Sequence, residues 1–195
     1  MKTIFAIILI SIFVVVSVVF MVMLQVQTDK TEEIKGILNL QNEVETLLDT
    51  NTDALVFYDS ASISYDEQNY KQTITNCENA RELFSKGTQE VRELKVTIKE
   101  EGVVYELYRN LLGEKIIMSD SLYEACEYLE SASRNYDIYF NTYNSGDSFF
   151  DMADAQIDAV NEKIDEHDDA VGRHNDLLAE IRYEIREITK WIVTG

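Results

Sequence analysis

The chain contains no proline, and its 195 residues include only seven glycines, two cysteines and two histidines. Average usage would supply roughly ten prolines. Without proline, and with glycine scarce, a turn-rich β-sandwich or barrel is excluded in favour of long uninterrupted helices. Two cysteines cannot make a disulfide-dense secreted scaffold or a four-cysteine zinc site. Positive charge is also short: 17 Lys and Arg stand against 36 Asp and Glu, a formal net charge of −19. So acidic a chain repels nucleic acid, whose binding depends on basic side chains neutralising phosphates. Glycine-rich phosphate loops, an H-E-x-x-H helix, an EF-hand loop and an N-x-[ST] sequon are all missing. Nothing pairs a nucleophile with a base, so the expectation is no enzyme, no cofactor and no specific small-molecule ligand.

What is present is apolar. Hydrophobic residues make up 46% of the chain, with 8 Phe and 11 Tyr, which excludes a disordered polypeptide. Residues 4–24 carry no charge and only Ser11 and Ser17 as polar interruptions. As a helix they span about 31 Å, the thickness of a bilayer's hydrocarbon core. A cleaved signal peptide is the competing reading, but its apolar core is about 7–15 residues and ends in a small-residue cleavage site. Residues 21–27 offer no such site. A type IV pilin also opens with a short basic leader and an apolar helix, but the early glutamate used in pilin assembly is absent here.

The flanks set an orientation. Lys2 and the α-amine precede the run, whereas Asp29, Glu32 and Glu33 outweigh Lys30 and Lys35 after it. The positive-inside bias predicts a cytoplasmic N-terminus at 1–3, a single-pass signal-anchor helix at 4–26, and an extracytoplasmic acidic domain at 27–195. All 36 acidic residues belong to that last part, which would avoid anionic headgroups rather than lie on them.

After the anchor, apolar residues recur at alternating steps of three and four. The clearest run is Phe150, Ala153, Ile157, Val160, Ile164, His167, Val171, His174, Leu178, Ile181, Ile185, Ile188 and Ile192. A stripe sustained over that length is the mark of a helix packed against partners along its whole face. A second run, Tyr70, Cys77, Ala80, Phe84, Val91, Leu94, Ile98, Tyr105, Tyr108 and Leu112, has the same phase, with Thr73, Gly87 and Glu101 as weak positions. A shift of 80 residues superimposes it on the first, which admits a duplication. Shorter stripes precede each: Ile34, Ile37, Val44, Leu48, Leu55, Tyr58, and Leu122, Cys126, Leu129, Tyr136, Phe140, Tyr143. Breaks are expected at 62–66, at 100–102 or 112–114, and at 144–147, where Asn-Ser-Gly-Asp is the best turn signal. The predicted fold is all-α: the transmembrane helix, then two long antiparallel hairpins at about 28–112 and 114–193, together a four-helix coiled-coil-like bundle. Residues 65–70 and 77–81 resemble the inter-helix turn and second helix of a tetratricopeptide repeat. The stripes outrun that repeat's 34-residue period, and no peptide-binding function is carried over.

Few polar groups stand out. His167 and His174 occupy successive layers of the strongest stripe. Such residues set register or partner number, form a pH-responsive layer, or serve as weak metal candidates. Seven residues are about 10.5 Å along a helix, too far for both rings to reach one ion. Cys77 and Cys126 lie on apolar stripes and are either one disulfide or two buried thiols. Tyr123, Tyr128, Tyr136, Tyr139 and Tyr143 cluster toward the predicted distal turn as an interaction patch or as core edge. The single Trp191 falls where the last helix returns to the bilayer, a position that suits a membrane-interface contact or the end of the bundle. The expected function is a membrane-anchored scaffold or adaptor that binds a protein partner or itself. A sensory subunit responding to ligand, ion or pH is one alternative, and a phage-type envelope-spanning protein is another.

Overall fold

The computed structural model describes residues 2–48, 51–142 and 147–194, with the backbone alone for 2–16, 18, 20, 24, 48 and 191–194. The described residues form five helices: α1 (Lys2–Leu48), α2 (Thr52–Asp66), α3 (Tyr70–Thr97), α4 (Val103–Asn141) and α5 (Ser148–Thr194). They include no strand, so the protein is all-α, a helical bundle. α1 and α2 run in series along α3, which makes four rods, with α4 packed against α3 and α5.

The apolar run at 4–24 lies within α1, but most of its side chains fall outside the described residues. Among those described, no helix is long and apolar enough to cross a membrane.

Of the two breaks expected between the hairpins, 100–102 and 112–114, the structure takes the first, so the boundary at 112–114 needs correction. The reversal after α3 occurs at residues 98–102, and α4 runs unbroken through Leu112 and Gly113. Two features put it there. Gly102 adopts φ 139°, a backbone conformation that a side chain would strain. Ile98 turns extended and buries its side chain at 6% exposure, while Arg109 Nη1 donates to the carbonyls of Ile98 (3.4 Å) and Glu100 (3.0 Å). Leu111 and Leu112 are fully buried, so breaking the helix there would open the core. The 80-residue correspondence fails at the same place, because residues 178–182 lie inside continuous α5.

The first stripe is also interrupted. α1 ends at Leu48 and α2 begins at Thr52. Beyond the interruption the buried face passes to Ala54, Ala61 and Ser64, and Leu55 is exposed. The α2–α3 turn comes at residues 67–69, just past the expected break. Gln68 takes φ 59° there, and the Asn69 side chain caps α3 by accepting from Gln72 N–H at 3.4 Å.

The core has two main parts. One joins Ile37, Leu40 and Val44 of α1 to Val91, to the α4 residues from Val104 to Leu112, and to Ile181 of α5. The other joins Ala54 and Ala61 to Cys77, Ala80, Phe84, Leu122, Ala125, Cys126, Leu129 and Val160. Its small residues let the helices approach closely. Between the two lies a polar level: buried Asn51, Thr88 and Ser119, with the Asn51 amide donating to Ser119 Oγ at 2.7 Å. Gly87 makes room for Asn51, because a Cβ there would stand 2.0 Å from Asn51 Oδ1. Gly87→Ala therefore has to expel the Asn51 side chain from its site. The expected loss is about 1–3 kcal/mol, read by urea unfolding, with Gly172→Ala on open α5 surface as the control. Equal stability of the two variants would refute this account of the interruption.

Candidate functional site at the distal tip

Six aromatic rings converge where α2, α3, α4 and α5 end together. Tyr136 is the hub: it stacks on Tyr70 at 5.6 Å and Phe140 at 6.1 Å, and meets Phe150 edge-on at 5.5 Å and Tyr65 at 6.1 Å. Tyr139 touches Phe140 and Phe150 at 5.1 and 5.4 Å. The Tyr136 hydroxyl donates to the Asp154 carboxylate across the α4–α5 seam. Burial, and then that bond, hold the phenol well above its ordinary pKa, so it stays a donor. Burial raises Tyr65 and Tyr70 as well.

Beneath the rings, Ala132 and Ala153 are fully buried. Above them the cluster opens. Phe140 is 58% exposed and Phe150 37%, and an open cleft of ≈ 320 Å³ is lined by Tyr65, Asp66, Gln68, Tyr70, Tyr136, Phe140 and Phe150. The three segments that build the tip, 65–70, 136–142 and 147–154, carry six carboxylates and no basic residue. The site is thus apolar at its centre and negative around it.

The expected tyrosine patch divides. Tyr136 and Tyr139 belong to the tip. Tyr123 sits farther down the bundle, accepting a hydrogen bond from Arg81 at 3.0 Å with the guanidinium over its ring at 4.9 Å. Tyr128 is exposed on α4 away from the rings, and Tyr143 lies outside the described residues. The sequence pattern did not mark Tyr65, Tyr70, Phe140 and Phe150 as tip residues. Their signal was position, since each flanks one of the two turns at that end.

The histidines mark the α4–α5 seam. His167 Nδ1 donates to the Met118 carbonyl at 2.9 Å. His174, 7% exposed, bonds the backbone of Leu111, one heptad away on both helices, and its Nδ1 finds no partner among the described residues. Each ring thus reaches the α4 backbone at its own level. Among the described residues, no group of three or more His, Cys, Asp or Glu side chains converges as metal ligands would. Cys77 and Cys126 are buried free thiols. The Trp191 side chain lies outside the described residues, but Ile185 and Ile188 of α5 pack on the cluster that includes Ile37 and line one apolar cleft with Ile34, so α5 returns to the end from which α1 leaves.

No protein-family model matches this chain, and neither a curated protein nor a solved structure resembles it significantly.

Burial, then Lys115, lower the pKa of His174, opposed by the Leu111 bond and by Glu114. The unfolded ring titrates near 6.5, so below that pH the unfolded state binds the proton more readily. Stability contributed by neutral His174 is complete above about pH 6.5 and is lost as the pH falls toward the lowered folded value. Thermal melts between about pH 7.5 and 5.5 should show a shallower pH slope for His174→Leu than for the parent chain. Parallel slopes would remove His174 as the cause.

Proposed function

We propose that this protein is a single-pass membrane-anchored helical adaptor that holds an aromatic, acidic docking tip outside the membrane for a protein partner with a basic, partly apolar contact surface. The observation that carries the reading is the tip itself, where rings from four helices converge and two phenylalanines stay open to solvent. Aromatic side chains ringed by polar groups are the usual anchors of protein interfaces. Six surrounding carboxylates select a partner of opposite charge and speed its approach.

The anchor is read from residues 4–24 and from the first exposed turns of α1 beside them. Val19, Met21, Val22, Met23 and Val26 are all exposed. The consecutive 21–23 alone point over more than half the helix circumference, which suits lipid better than a single partner helix. α1 continues from there with neither Pro nor Gly before Gly36. From Gln27 to Asp66 the α1–α2 rod is about 60 Å long, and its length sets how far the tip stands from the bilayer. The heptad-like stripes make the bundle a stiff spacer in this reading.

Two measurements on the full chain test this. Membranes bearing it are washed at alkaline pH, where an integral protein stays in the pellet. A photo-crosslinking residue at Phe140 should give a partner adduct that is absent when the probe replaces Tyr183, which is comparably exposed on α5. Phe140→Ser with Phe150→Ser should cut adduct formation at Tyr139 at least about tenfold, with helicity unchanged. Release into the alkaline wash would refute the anchor; equal adducts at Phe140 and Tyr183 would refute the tip.

A further inference from the structure

Cys77 of α3 and Cys126 of α4 meet inside the second core cluster. Each is 0% exposed, both belong to one packed cluster, and the nearness of Cys77 is the first cause that raises the Cys126 thiol's pKa. Small neighbours bring the backbones together there: Ala54, Ala61, Ala80 and Ala125 are all fully buried. One turn along, Arg81 fixes the register, donating to Glu127 at 2.7 Å and Glu130 at 3.0 Å. Tyr58 closes over the pair, its hydroxyl pushed up to about 12 by burial first and then by the two sulfurs. Two neighbouring thiols on different helices, enclosed in one cluster and held from both sides, have the placement from which a disulfide can close.

We infer that Cys77 and Cys126 form a redox modification site, a disulfide closed while the chain is still folding, which clips α3 to α4 in the finished bundle. The inference rests on the proposed placement of the bundle outside the cytoplasm, where disulfides persist. The oxidant is a small or enzyme-borne disulfide. On the incompletely folded chain, one cysteine thiolate attacks a sulfur of the donor, the donor's S–S bond breaks, and half of the donor leaves as a thiolate. The second cysteine then attacks the protein sulfur of this mixed disulfide. The Cys77–Cys126 bond forms and the other half of the donor leaves. Two protons pass from the cysteines to the departing thiols, so the donor is reduced by two electrons and the pair oxidised by two.

Timing follows from burial. In the folded bundle neither sulfur can be reached, and the contact with Cys77, together with burial, keeps the Cys126 thiol protonated. Since the thiolate is the nucleophile, exchange then stops. A chain that folds reduced stays reduced, and one that folds after oxidation keeps its clip. The bond closes a loop with 48 intervening residues and so restricts the unfolded chain considerably.

The test uses the full chain in detergent micelles. Reduced chain is unfolded in guanidinium and refolded with oxidised and reduced glutathione; a second sample is folded first and then given the same mixture. The refolded sample should lose the mass of two hydrogen atoms, yield a joined Cys77–Cys126 peptide pair, and melt on the order of 10 °C above the reduced form. The prefolded sample should oxidise at least about tenfold more slowly. Refolded chain carrying only glutathione adducts or chain-to-chain links would overturn the site, and so would a joined form that melts below the reduced one. Equal oxidation rates would overturn the timing. Acid trapping of thiols in cells addresses the placement separately: free thiols there, with joining that outpaces folding in the refolding sample, would refute the extracytoplasmic reading and leave the site standing.

Discussion

The seam between α4 and α5 is the reference for the rest of the bundle. Two histidines one heptad apart on α5 reach two backbone positions one heptad apart on α4. A slip by a turn would strand a buried ring nitrogen and an apolar stripe together. Outside the buried stripe, Arg173 pairs with Glu114 at 2.9 Å and Lys163 with Glu124 at 2.8 Å in the same antiparallel register. Each exposed pair is worth little by itself. Their value is that both bridge α4 and α5 in the register that the histidines set. With α5 fixed, α4 offers its other face to α3, and α3 then receives the α1–α2 rod.

That rod carries the second constraint. A continuous helix would have run one apolar stripe past the whole of α3. Instead the interruption turns Asn51 inward against Gly87 and Ser119, dividing the core in two. The half toward α1 is built from large side chains around Leu111 and Leu112. The half toward the tip is built mainly from alanines and the two thiols. Small residues permit close approach of the rods; the two thiols lie in this half, and the aromatic rings lie beyond it at the end of the bundle. The polar level weakens the core locally and fixes the order of the two halves, a usual trade for a buried amide.

The molecule is consequently directional. At one end α1 leaves the bundle, with α5 returning beside it and an apolar helix extending past both. At the other end apolar rings and carboxylates coincide because two chain reversals, after α2 and after α4, meet there. A reversal needs short polar residues, and the helix ends it joins bring their last stripe residues to the surface. The tip is where the core runs out, which is why Phe140 and Phe150 stay open to solvent there.

Periodicity and composition were enough to read the helical class and most of the stripes, and they placed the α2–α3 turn to within a few residues. The reason is that helix-forming local preference and side-chain spacing are properties of neighbouring residues. Most of the turn expected at 144–147 lies outside the described residues. The stripe of α5 could be read in part: Ala153, Val160, His174 and Ile181 are buried, whereas Phe150 is exposed and Ala170, fully buried, lies off the expected stripe. The placing of the α3–α4 reversal could not, because Gly102 and Gly113 look equivalent along the chain. Only the burial of Leu111 and Leu112 and the seating of Ile98 by Arg109 favour the former. The inward Asn51, the contact of Cys77 with Cys126, and the joining of Tyr65 and Tyr70 to Phe140 and Phe150 were likewise out of reach. Each joins residues far apart along the chain, and the energy of such a contact exists only once the rods have chosen their register. Sequence by itself determined the class of element and its apolar face; tertiary packing decided which faces met, and so where the site lies.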